Sequence, residues 1–69
     1  MVDTILLEDR IKQSGKTKTF IAKQLGCTIQ SLRLKIINKS DFTSTEIQRL
    51  CDELEINRLT DKEKIFFKK

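Results

Sequence analysis

The chain has no histidine, proline, tyrosine or tryptophan, and only two glycines and two cysteines in its 69 residues. Each shortage excludes something. Without histidine, the side chain that titrates near neutral pH and most often binds metals is missing. Cys27 and Cys51 are too few ligands for a zinc site of the usual kind. They leave two states open, a disulfide or a pair of small reduced hydrophobes, and the second suits a chain with no secretory features. Gly15 and Gly26 leave little room for a phosphate-cradling loop. With no proline, the pattern favours helices joined by short turns over a sheet. A core this small does not enclose a substrate pocket, so neither an enzyme nor a cofactor is expected. Met1 to Glu8 lacks the basic start and long apolar run of a signal peptide, and no stretch has the length of a membrane span. A single cytoplasmic domain away from the membrane is the expectation.

Charge is plentiful and unevenly placed. The formal net charge is +4. From Arg10 to Ser40 there is no acidic residue, while the window holds Arg10, Lys12, Lys16, Lys18, Lys23, Arg33, Lys35 and Lys39. Every carboxylate lies outside it, in Asp3, Glu8 and Asp9 before and in Asp41 to Glu63 after. This predicts a basic face and a neutral or acidic remainder. A basic face gains from counterion release when it meets the phosphates of a duplex. An anionic membrane is the competing polyanion, but the apolar residues of the window are needed for a core. RNA reading by stacked aromatics is disfavoured too, because Phe20, the only aromatic in the window, is expected to be buried.

Periodicity and capping residues predict an all-α domain of four to five helices. The first runs from about Thr4 to Gln13, capped by Asp3 or Thr4, with Leu7 and Ile11 inward and Ser14-Gly15 ending it. The second spans Lys18 to Leu25 after a Thr17 cap, with Ile21, Ala22 and Leu25 inward and Gly26 as exit. The third follows a Thr28 cap, with Leu32 and Ile36 inward. Thr43 and Glu46 form a capping box for the fourth, with Phe42 as a staple against Ile47 and an apolar face of Ile47, Leu50, Cys51 and Leu54. Thr60 and Glu63 predict a second capping box, opening a last helix over about 60–69.

Helix, glycine turn and helix over about 18–37 is the arrangement that presents a second helix to the major groove. The third helix carries Ile29, Gln30, Arg33 and Leu34 off its Leu32–Ile36 face. Glutamine and arginine read base edges, and apolar side chains contact thymine methyls. From Leu7 to Ile56 the chain resembles the Cro/Xre family of helix-turn-helix regulators, especially the very short Cro-like or antirepressor proteins of bacteriophages of Gram-positive hosts. The residues that carry the resemblance are Ile11, the Ser14-Gly15 break, the run Thr19-Phe20-Ile21-Ala22-Lys23-Gln24-Leu25-Gly26-Cys27-Thr28-Ile29-Gln30-Ser31-Leu32, then Lys35 to Asn38, Asp41 to Thr43, and Glu46-Ile47 up to Leu54. Cys27 stands where valine or isoleucine is common, and Asn38-Lys39-Ser40 replaces the frequent Asn-Gly.

The resemblance implies a compact lambda-repressor-like DNA-binding domain. It places base reading on Thr28, Ile29, Gln30, Arg33 and Leu34, with Arg33 suited to guanine and Gln30 to adenine, and a phosphate anchor at Lys18. Lys18, Thr19, Lys23, Ser31, Lys35, Asn38 and Lys39 are the phosphate candidates, each lysine having solvated surface as its alternative. Two outcomes are open for Ile65, Phe66 and Phe67: pairing of two copies on a palindromic operator, or closure of the chain's own core. The function implied is repression by occupying a double-stranded DNA operator. Binding to a partner repressor protein is the alternative.

Overall fold

The computed structural model describes residues 1–67, which form five helices and no strand: α1 (Thr4–Ser14), α2 (Lys18–Leu25), α3 (Ile29–Ile36), α4 (Ser44–Leu54) and α5 (Leu59–Phe66). The last two residues of the expected C-terminal helix lie outside the described residues.

Local chemistry sets most boundaries. Asp3 caps α1 by accepting from the Leu6 amide at 3.1 Å. Thr17 caps α2, Thr28 caps α3 and Thr43 caps α4, each accepting from the amide three residues on at 3.1 Å. These bonds satisfy donors that a helix start leaves without partners. Gly15 (φ 73°) and Gly26 (φ 75°) close α1 and α2 in the left-handed region, where a Cβ is disfavoured. Only Gly26, Cys27 and Thr28 separate α2 from α3.

The core draws on all five helices. Leu7 and Ile11 come from α1, Ile21, Ala22 and Leu25 from α2, Leu32 and Ile36 from α3, Leu50, Cys51 and Leu54 from α4, and Ile65 and Phe66 from α5. Val2 and Ile56 join them from outside the helices. Phe42 and Ile47 pack against this cluster, and the Phe42 ring meets Phe66 edge-on, with centroids 6.1 Å apart. Each large side chain so buried contributes about 1.5–3 kcal/mol relative to exposure. Cys27 and Cys51 are free thiols, and burial pushes the Cys51 thiol up.

Three expectations need correction. Thr60 does not cap α5: the helix begins at Leu59, Arg58 holds the cap position with no side-chain hydrogen bond, and Thr60 is already helical. Phe20 is not buried but 42% exposed, because it lies a helical step away from the Ile21–Leu25 face. Its ring instead lies 6.0 Å from Lys16 Nζ. Thr4, considered as a cap, uses its hydroxyl to donate to Ile36 O at 2.7 Å.

That last bond belongs to a clasp. The Val2 amide donates to Asn38 Oδ1 and Asn38 Nδ2 donates to Val2 O, both at 2.8 Å. The Asp3 amide donates to Ile65 O at 2.6 Å. Residues 2–4 therefore tie the end of α3 to α5. No helix among the described residues is long and apolar enough to cross a membrane.

Candidate nucleic-acid interface

The Thr28 cap starts α3, and burial of Leu32 and Ile36 fixes its rotation. The opposite side must then carry residues 30, 33, 34 and 37, which share one stripe at spacings of three and four. Gln30, Arg33, Leu34 and Ile37 are all exposed, Leu34 by 45% and Ile37 by 53%. Ile29 and Ser31 are half-buried at the edges of this stripe. Of the expected base readers, Gln30, Arg33 and Leu34 thus stand together, Thr28 is exposed at the end of the stripe with its oxygen engaged as a cap, and Ile29 is turned partly inward. Ile37 was not among the expected readers, although its distance of seven residues from Gln30 put it on the same side.

The phosphate candidates divide. Thr19, Lys23 and Lys39 are exposed, and Ser31 is half-buried. Lys18 is half-buried and paired with Glu8, 2.9 Å from its nearer carboxylate oxygen. Lys35 and Asn38 are taken out of the set by internal partners. Lys35 turns toward α4 and donates to Glu46, with only 14% of its side chain exposed. Partial burial pushes the Glu46 carboxyl up, but the hydrogen bonds from Lys35 and the Thr43 amide, with the Lys35 charge, outweigh it and leave it below the ordinary glutamate value. Asn38 sits in the left-handed region (φ 65°), where it is tolerated better than most residues, and spends its amide on the Val2 clasp.

Pairing also reshapes the basic window. Arg10 meets Asp61 at 3.1 Å and Lys16 meets Glu53 at 3.0 Å, so four of its cations are matched by carboxylates from outside it. Among the described residues Lys12, Lys23, Arg33 and Lys39 have no ion-pair partner. Three of these lie on α2, α3 and the loop after α3. Exposed Asp52, Glu55 and Glu63 share α4, α5 and the segment between them with Arg49, Arg58, Lys62 and Lys64. Lys23, Arg33 and Lys39 are thus unpaired cations on or just after the two helices of the motif, with exposed Asp41 two residues beyond Lys39.

The expected self-association residues separate as well. Ile65 and Phe66 are 3% and 2% exposed and close the chain's own core, which removes them from any surface. Phe67 is 58% exposed and lines a shallow groove with Leu6, Thr60 and Lys64. No family model, curated protein or solved structure matches the chain.

Proposed function

We propose that the chain is a sequence-specific double-stranded DNA-binding regulator with a lambda-repressor-like helix-turn-helix, acting by occupying an operator through the major groove. The observation that carries this reading is the α3 stripe, Gln30, Arg33 and Leu34 on the outer side of a capped helix, beside cations that keep no internal partner. A helix is the element that fits the major groove. Arg33 reads guanine, Gln30 reads adenine, and Leu34 with Ile37 covers thymine methyls. Lys23, Lys39 and Thr19 hold phosphates and set the register without choosing sequence. A single domain of this size gives a small interface, so a second copy on a palindromic site, joined through the Phe67 groove, strengthens the complex.

The test is selection of binding sites from a random duplex pool, followed by titration of the selected site and a scrambled one. Arg33→Ala and Gln30→Ala are each expected to weaken the selected site by about 1–3 kcal/mol and to relax preference at one base position. Lys23→Met weakens all duplexes alike and lowers the salt slope by about one. A wild-type protein that enriches no sequence and binds every duplex equally weakly rules the reading out. One observation favours a second reading, a modulator that binds a partner repressor: half of the outer stripe, Leu34 and Ile37, is apolar. Under that reading Leu34→Ser and Ile37→Ser abolish a protein complex, and Arg33→Ala matters little.

A further inference from the structure

We propose that Glu8 is a built-in limiter of DNA affinity, holding the Lys18 ammonium in an intramolecular ion pair that a DNA phosphate has to displace. The proposal rests on the DNA-binding reading above. Glu8 is an acid at the edge of the face that reading assigns to DNA. It lines one groove with Thr4, Lys18, Arg33, Ile36 and Ile37, where the middle of α1 faces the start of α2 and the end of α3. Lys18 Nζ lies 2.9 Å from Glu8 Oε1 and 3.0 Å from Oε2, and its hydrogen bond goes to Oε2. Oε1 is shut off from solvent and has no aligned donor among the described residues. The carboxylate is therefore held by one lysine, which lies within 3.0 Å of both its oxygens.

The chemistry of this pair opposes a duplex in two ways. Lys18 is the first residue of α2, where the helix's positive end already favours an anion. Its charge is spent on Glu8 before any phosphate arrives. Breaking the pair leaves a carboxylate near the incoming phosphate, a like-charge contact that a screened surface weakens without abolishing. Both side chains are about a third exposed or more, at 34% and 41%, so the pair is weak enough for DNA to open. When it opens, Glu8 takes up a cation from solution, which offsets part of the counterion release that drives binding. The limiter thus acts on affinity and on salt dependence together.

The experiment compares wild type, Glu8→Gln, Asp9→Asn and Lys18→Met with Glu8→Gln in the Lys18→Met background, on the selected duplex at several salt concentrations. Asp9→Asn removes the same charge from the next residue, whose carboxylate accepts from Gln13 and is not hydrogen-bonded to Lys18. Glu8→Gln is expected to tighten binding roughly 3–10-fold at low salt and to steepen the slope of log affinity against log salt by about one. Asp9→Asn changes both far less, and the gain from Glu8→Gln shrinks when Lys18 is methionine. Equal binding by wild type and Glu8→Gln, or an equal gain from Asp9→Asn, overturns the proposal and leaves the DNA-binding reading intact. If none of the variants discriminates between duplexes, the reading itself fails and the limiter with it.

Discussion

Helices α4 and α5 carry the same signature near their starts, a threonine followed three places on by a glutamate, yet only α4 uses it. At α4, Thr43 is extended and accepts from the Glu46 amide at 3.1 Å, while Glu46 Oε1 accepts from the Thr43 amide at 2.9 Å. The other Glu46 oxygen receives Lys35. At α5, Thr60 is inside the helix. What fixes α5 is tertiary: Asp61 pairs with Arg10 of α1, Ile65 O accepts from the Asp3 amide, and Ile65 and Phe66 are buried. A capping box is a local preference of about 1 kcal/mol. It decides a boundary where a distant residue reinforces it, as Lys35 does, and yields where several distant contacts ask for another start.

The largest expected break in this contrast is Glu46→Ala. It removes the Glu46 half of the capping box, the bond from the Thr43 amide, and leaves the mostly buried Lys35 unpaired, so stability in urea should fall by about 2–3 kcal/mol. The same site carries a pH dependence. The folded Glu46 carboxyl titrates below the ordinary 4.5, so its stabilisation is complete above that value and is lost as pH falls through the folded one. Thermal midpoints measured on acidification below 4.5 should therefore drop more steeply for wild type than for Glu46→Gln. Thr43→Ala comes next, at about 1 kcal/mol. Arg58→Ser has the opposite sign: it supplies the missing cap to α5 and should stabilise by about 0.5–1 kcal/mol. Thr60→Ala is the smallest, within about 0.5 kcal/mol in the same unfolding measurements. Equal losses for Thr43→Ala and Thr60→Ala would mean that the second box forms in solution.

The same division separates what was legible in the sequence from what was not. Asp3, Thr17, Thr28, Thr43, Gly15 and Gly26 act within a turn of themselves, and each marks the boundary its chemistry predicts. The rotation of α3, and so the outward position of Gln30, Arg33 and Leu34, follows from Leu32 and Ile36 alone. Lys35 and Asn38 could not be read this way. From spacing they are surface residues in the last turn of a recognition helix and in the loop after it, and their partners Glu46 and Val2 are neighbours only in the folded chain. Ile56 was hidden for a related reason. The turn that carries it inward has Glu55 in the left-handed region (φ 57°), where no glycine signals it.

The clasp formed by residues 2–4 bears on how the chain comes to be folded. Its Asp3 amide finds Ile65 O only after nearly all of α5 exists. At about 5–20 residues per second, synthesis reaches Ile65 roughly 3–12 s after Asp3. A helix forms in microseconds. Throughout that interval any assembly of the helices already made lacks Ile65 and Phe66, leaves the Asp3 amide without its acceptor and keeps apolar surface of the core uncovered. Order of manufacture and order of completion therefore run in opposite directions: Asp3 is made before all five helices, yet its amide is locked only once α5 is in place.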